Sequence, residues 1–187
     1  MRIVKTIFDS VFVIEPKVWR DDRGFFFESY SKKAFESLGI VTEFIQDNHS
    51  KSVSKDVIRG LHLQKAPYAQ TKLVRCTRGR MWDVVVDLRL GSATFGQWDA
   101  VELSEENALM LYIPKGFGHG FQSLTEDVEV LYKVDEGYHP EAEVTVLWND
   151  PTIGIPWDVE APILSEKDQQ AKTLAEQMVN FKLGMGK

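Results

Sequence analysis

The run Arg59-Gly60-Leu61-His62-Leu63-Gln64, read with Pro114-Lys115-Gly116-Phe117-Gly118-His119-Gly120-Phe121, decides the architecture of this chain. Each run places one histidine in a short, strand-like stretch, and the two lie far apart in sequence. Successive side chains of a strand point to opposite faces, so Gly60, His62 and Gln64 share one face while Leu61 and Leu63 take the other. With the leucine side covered by packing, the polar side must line something wet and concave. The same alternation sets Lys72 against Leu73 and puts Tyr132 on a face with Val130 and Val134. Buried polar groups without partners are costly, so a half-polar interior of this kind is a pocket.

Most of the remaining chain also reads as short strands between turn signals. Val11–Ile14, Gly24–Tyr30, Val57–Leu63, Lys72–Cys76, Met81–Leu88, Phe95–Leu103, Ala108–Ile113, Gly120–Leu124, Val128–Val134 and Val144–Trp148 are the segments expected. So many strands in 187 residues favour a sandwich or jelly roll over a parallel α/β sheet. Two helices flank them: Ser31 caps a short one ending before Gly39, and Ser165 caps a longer one over about 165–178. No repeat and no linker rich in Gly, Ser or Pro divides the chain, which reads as one domain over 1–187. The two histidine strands resemble those of double-stranded β-helix (cupin) barrels, and a mostly β cupin jelly roll is the expected fold. Metal-binding cupins usually show His-x-His and then a glutamate on the first strand. Here Gln64 replaces the second histidine and the next carboxylate is Asp83. Two histidines plus an amide make a poor first shell for a transition metal, so no metal is expected and side-chain acid–base chemistry is.

A net charge of −6 argues against a partner presenting a nucleic-acid polymer, while leaving room for a nucleotide-sized anion held by a few local cations. Cys76 is the single cysteine, read as a small buried strand residue, and no intrachain disulfide is possible. The start Met1-Arg2-Ile3-Val4-Lys5 lacks a long apolar stretch and nothing resembles a membrane span, so a soluble, cytoplasmic protein is expected.

Several side chains are candidates for chemistry, each with a plainer reading beside it. His62 suits a general base because an imidazole exchanges protons near neutrality; a lone histidine is otherwise more often a satisfied core residue. Asp168 can orient His62, yet Ser165-Glu166-Lys167-Asp168 also has capping-box spacing, and the two readings weigh evenly. Tyr132 suits a general acid, against a packed strand tyrosine. Lys72 suits an oxyanion stabiliser, against a solvated lysine. Arg23 and Arg59 suit phosphate clamps, against surface ion pairs. Tyr138 offers a flat face to an aromatic base, against a turn-flanking aromatic.

Taken in order, these segments resemble the dTDP-4-dehydrorhamnose 3,5-epimerases from about Phe8 to Lys172. The match rests on Asp22-Arg23-Gly24-Phe25-Phe26-Phe27-Glu28, Gln46-Asp47-Asn48-His49-Ser50, Arg59-Gly60-Leu61-His62, Lys72-Leu73-Val74 and Asp83 to Arg89. It continues through Ile113 to Phe121, Tyr132-Lys133, Tyr138-His139-Pro140, Trp148 to Pro151 and Leu164 to Asp168. The resemblance implies His62 as proton acceptor, Tyr132 as proton donor and Asp168 in support. It implies nucleotide-sugar contacts from Arg23, Glu28, Gln46, Asp47, Asn48, Arg59, Lys72, His119, Glu143 and Lys167, with Tyr138 stacked on the thymine. It further implies a dTDP-sugar substrate in dTDP-rhamnose biosynthesis, no cofactor, and a homodimer whose N-terminal strands cross to the partner. In a 4-keto hexose the C3 and C5 protons are both alpha to the carbonyl, so removing either gives an enolate centred on O4. Inversion then needs a base on one ring face, a donor on the other and a cation at O4, and His62, Tyr132 and Lys72 supply one of each.

Two departures from the family pattern stand out: Gly118 where alanine is common, and Val144-Thr145-Val146 where a glycine usually follows Glu143 within two residues. The second favours a regular strand and is expected to move Glu143 or the pocket rim. The alternatives are an epimerase of one centre or of another dTDP-4-keto sugar, a metal-dependent cupin enzyme, and a non-catalytic nucleotide-sugar-binding cupin.

Overall fold

The structure, a computed structural model, describes residues 1–177. In chain order its elements are β1 (Arg2–Ile7), β2 (Val11–Glu15), β3 (Trp19–Asp21), β4 (Gly24–Phe26), α1 (Lys32–Ser37), β5 (Gln46–Ser52), β6 (Ile58–Gln64) and β7 (Lys72–Arg78). They continue with β8 (Arg80–Asp87), β9 (Trp98–Ser104), β10 (Met110–Ile113), β11 (Phe117–Ser123), β12 (Val128–Val134), β13 (Glu143–Thr145) and α2 (Glu166–Gln169). A six-stranded sheet runs β1-β2-β10-β7-β12-β5 and a five-stranded sheet runs β13-β6-β11-β8-β9, with β3 and β4 pairing apart as a hairpin. Every strand pair is antiparallel, giving the expected jelly roll.

Alternation sorts the apolar residues into three layers. Val13, Val74, Leu111 and Val130 of the larger sheet meet Met81, Val85, Leu103, Phe117 and Phe121 of the smaller one in the core between them. Outside the larger sheet, Phe35 of α1 packs with Ile14, Ile40, Leu73 and Met110. Outside the smaller sheet, Leu61, Leu63, Val84, Val86 and Val144 are covered by Ile153, Ile155, Trp157 and Leu174. The leucine face of β6 is therefore packed outward, which turns Gly60, His62 and Gln64 inward. Cys76 lies in the central core, where burial pushes its thiol up to about 11.

Three corrections to the sequence reading concern the helices and one strand. The long helix from Ser165 breaks after four residues: α2 ends at Gln169, Lys172 bridges to Val146, and a new helical turn covers residues 174–177. Thr173 and Glu176 form the reciprocal capping pair that starts this turn, the Thr173 amide donating to Glu176 at 2.8 Å and the Glu176 amide to the Thr173 hydroxyl at 3.3 Å. The expected end near Met178 lies outside the described residues. Ser31 occupies the cap position of α1, but its side chain makes no capping hydrogen bond. The strand expected over Val144–Trp148 covers Glu143–Thr145 instead, since the Leu147 amide turns away to donate to Lys172 O at 2.8 Å.

Candidate active site

Between the sheets lies a cavity of about 710 Å³, within the range of small-molecule pockets. Its walls carry His62 and Gln64 from β6, Lys72 from β7, His119 from β11, Tyr132 from β12, Glu143 from β13, and Lys167 and Asp168 from α2. Arg59 and Tyr138 complete the set, so nine of the site residues expected from sequence face one space. All but Tyr138 come from regular elements, which hold side chains more precisely than loops do.

His62 and His119 are register partners on adjacent strands, and each is held by its own carboxylate. Nε2 of His62 lies 2.6 Å from Oδ1 of Asp168, and Nε2 of His119 lies 2.5 Å from Oδ1 of Asp83. The glycines beside them make this approach possible. A Cβ on Gly60 would stand 2.5 Å from Gly120 Cα and 2.7 Å from His119 O, and Gly60 itself has φ +124°. The ladder shifts register at that point, between His119 and Phe121.

Burial, the largest influence on His62, holds its pKa below the ordinary 6.5 against the raising effect of Asp168. The imidazole is therefore neutral at physiological pH. Burial alone would raise Asp168, but the hydrogen bond and charge of His62, with the Ser165 hydroxyl donating to Oδ2 at 2.8 Å, leave it below its ordinary value. An ionised Asp168 accepts only, so Nε2 of His62 carries the hydrogen and Nδ1 keeps the basic lone pair. The two sequence readings of Asp168 coexist: its amide donates to the capping Ser165 hydroxyl at 3.1 Å while its carboxylate holds His62.

Lys72 has no hydrogen-bond or ion-pair partner among the described residues, and burial lowers its pKa to about 8 despite attraction to Asp83 and Glu143. Tyr132 likewise makes no hydrogen bond among the described residues, and burial raises its pKa. The two therefore present an unpaired ammonium and an unpaired phenol to the cavity. Glu143 accepts from Lys167 at 2.6 Å and from the Tyr138 hydroxyl at 2.9 Å. The Val144-Thr145-Val146 departure is regular strand through Thr145, pairing Glu143 with Gln64 and Thr145 with His62, and Glu143 lies in the cavity wall. At Gly118 a Cβ would come within 2.9 Å of the Leu88 side chain, so the glycine leaves that leucine its room.

Five expected contact residues stand outside this cavity. Arg23 lies on the β3–β4 hairpin, largely exposed and paired with Asp21, and Glu28 is exposed just beyond β4. Gln46, Asp47 and Asn48 open β5, with Asp47 bound to Lys133 at 2.7 Å and Gln46 donating to Asn48 at 2.8 Å. Asn48 shares a strand face with Ser50 and Ser52, which do line the cavity, and so extends that row toward the rim. Two participants were given no role in the sequence: Asp83, noted only as a distant carboxylate, and Gln64, placed on the pocket face beside His62 but otherwise noted only as replacing a histidine. The alternation of Met81–Leu88 carried a signal for Asp83, since a carboxylate on the inward face of an apolar strand needs a partner. Among the described residues no group of three or more His, Cys, Asp or Glu converges with metal-ligand geometry.

A family model described as dTDP-4-dehydrorhamnose 3,5-epimerase matches residues 5–176. The chain is 49% identical over 185 residues to the dTDP-4-dehydrorhamnose 3,5-epimerase of Escherichia coli K12, covering 98% of this chain and 99% of that one. Among solved structures it resembles the Bacillus anthracis enzyme of that name, with TDP and PPi bound, at TM-score 0.91 and 48% identity, over 92% of this chain and 99% of the other. It also resembles the dTDP-6-deoxy-D-glucose-3,5-epimerase of Legionella pneumophila in complex with dTDP-4-keto-L-rhamnose, at TM-score 0.88 and 46% identity, over 93% of each chain.

Proposed function

The chain belongs to the dTDP-4-dehydrorhamnose 3,5-epimerase family, and from that membership we propose how its own residues carry the reaction. The enzyme is an isomerase that inverts C3 and C5 of dTDP-4-dehydro-6-deoxy-D-glucose to give dTDP-4-dehydro-L-rhamnose. The observation that supports the assignment of roles most directly is the His62–Asp168 contact, which commits Nε2 and leaves Nδ1 as the base. His62 takes the proton from C5 or C3, and the C–H electron pair moves into a C=C bond as O4 gains the charge of an enolate. Lys72, a cation without a partner among the described residues, meets that charge at O4. Tyr132 then delivers the phenolic proton to the opposite face of the same carbon and regains one from water, while His62 gives the proton it took to water, so both groups are reset and no net proton is consumed. No electrons leave the sugar, so the chemistry calls for no redox partner.

The nucleotide is bound by Arg59, Tyr138, His119, Glu143 and Lys167 around the same cavity, with Tyr138, 58% exposed at the mouth, stacked on thymine. Arg23, Glu28, Gln46, Asp47 and Asn48 serve a site completed in a homodimer with exchanged N-terminal strands. The uncovered aromatics Trp19, Phe25 and Phe26 of the β3–β4 hairpin support such a pairing. No described helix is long and apolar enough to cross a membrane. A nucleotide-sugar substrate supports a cytoplasmic site of action. Proton NMR of the 4-keto sugar with enzyme in deuterated water tests the reading. Deuterium at both C3 and C5 is expected; entry at one carbon would reduce the enzyme to a single-centre epimerase.

A further inference from the structure

The amide of Gln64 is the most heavily used polar group in the cavity wall that the reaction leaves without a part. It is 5% exposed, and its Nε2 donors and Oε1 acceptor all engage backbone. Nε2 donates to Tyr68 O at 2.7 Å and Gly137 O at 3.0 Å, while Oε1 accepts from the His139 amide at 2.7 Å. One side chain thus grips the peptides on both sides of Tyr138. Gln70 adds a second amide on the same turn, donating to Glu136 O at 2.8 Å and Gly137 O at 3.0 Å. The ring of His139 stacks on Tyr68 at 3.7 Å between centroids, joining the two loops that the amides tie together.

The cross-strand partner of Gln64 is Glu143, the residue that accepts the Tyr138 hydroxyl. Both the backbone and the tip of Tyr138 are therefore set from one point of the β6–β13 ladder. An exposed tyrosine on a free loop would spend most of its time in rotamers and loop positions unsuited to stacking, and ordering it on binding would cost affinity. A loop already fixed at its flanking peptides avoids that cost.

From this we infer that Gln64 is a positioning residue for nucleotide recognition: it holds the 136–139 turn so that the Tyr138 ring stands ready to stack on the base of the substrate. The inference rests on the proposed role of Tyr138. It assigns Gln64 to substrate affinity, in a position where the cupin resemblance leads one to look for a metal ligand.

The test is a double-mutant cycle read by calorimetric titration with dTDP, using the full chain. Gln64→Leu and Tyr138→Ala should each weaken dTDP binding by about tenfold, and the double variant by little more than either alone, because the second change removes an effect already lost. Steady-state rates of the Gln64→Leu enzyme should show the loss in KM, with kcat within about threefold of wild type. Additive losses in the double variant would overturn the inference, as would unchanged dTDP affinity or a loss confined to kcat. Unchanged affinity in Tyr138→Ala alone would instead overturn the stacking role itself. If Gln64→Leu fails to fold, Gln70→Leu removes two carbonyl bonds from the same turn, one of them to the Gly137 O that Gln64 also holds, from a less buried position. It should then weaken dTDP binding about threefold, non-additively with Tyr138→Ala, and an unchanged affinity there overturns the inference as well.

Discussion

The carboxylate of Asp168 holds Nε2 of His62 with one oxygen and the Ser165 hydroxyl with the other, so its substitution is read by two measurements at once. If capping dominates, Asp168→Asn costs about 1 kcal/mol of stability and spares turnover. We expect turnover to fall about a hundredfold or more, because a neutral amide no longer supports the imidazolium formed on proton abstraction. Normal turnover with a lowered melting point would return Asp168 to the cap alone. Tyr132→Phe separates exchange from inversion: His62 still removes and returns a proton on one face, so deuterium should enter the starting sugar while little product of L configuration forms. Equal loss of both would make Tyr132 an enolate stabiliser. The pH profile follows from the same groups. His62 lies below 6.5, so its basic form is already dominant at neutrality and kcat/KM should fall only on acidification below that value. Lys72 lies at about 8, so raising the pH through that region removes the cation and lowers the rate. Lys72→Arg should move the alkaline limb upward, because a guanidinium does not titrate there; a limb left in place would belong to another group. The histidine, tyrosine and lysine were all legible from alternation. So was the inward face of Gln64, but its hold on the 136–139 turn was not, because its three contacts are to backbone and no side-chain pattern records those.

At the scale of elements, legibility tracked local apolar pattern. β12 was read to the residue from Val128–Val134, whereas β5, with the sequence Gln-Asp-Asn-His-Ser-Lys-Ser, offers no apolar alternation and becomes a strand by pairing with β12 at all seven positions. β1 and β3 escaped for a related reason, since their faces are mostly exposed and show no buried stripe. The overlong C-terminal helix came from reading Thr173 as helix interior, when with Glu176 it caps a new turn. Thr173→Ala should therefore cost about 1 kcal/mol in denaturant unfolding, where an interior threonine would give a neutral or slightly favourable change. The tightest constraint is the crossing of β6 and β11 beside the two histidines. A methyl at Gly60 meets backbone at 2.5 Å and 2.7 Å, which no rotamer change relieves, and φ +124° is unfavourable to any L side chain. Gly60→Ala should destabilise the fold by roughly 3 kcal/mol or more and separate His62 from His119, so that residual folded enzyme exchanges poorly. A variant with wild-type melting and exchange would show that the strands part there without cost.

At the scale of the molecule, the nine residues of the cavity and the five outside it pose one question of geometry. Arg23 sits on a hairpin whose aromatics Trp19, Phe25 and Phe26 are 47%, 60% and 67% exposed, and single chains rarely leave such a cluster uncovered. The proposed homodimer with exchanged N-terminal strands would cover the aromatics and bring Arg23 to the other chain's cavity in the same step, since a two-fold interface would place each hairpin equivalently. Each active site would then hold its own His62 and its partner's Arg23. Arg23→Ala and His62→Asn homodimers should both be inactive or severely impaired, one for want of substrate binding and the other for want of a base. In a mixed dimer the Arg23→Ala chain supplies an intact His62 while the His62→Asn chain supplies an intact Arg23, so one of the two sites is whole. Dissociating and reassociating the two variants in equal amounts should therefore restore about a quarter of wild-type activity, the share of intact sites at random pairing. The mass of the recovered species by light scattering identifies the dimer. Failure to regain activity in a dimer shown to have exchanged chains would place Arg23 with the His62 of its own chain, and a monomeric active enzyme would remove the shared site altogether.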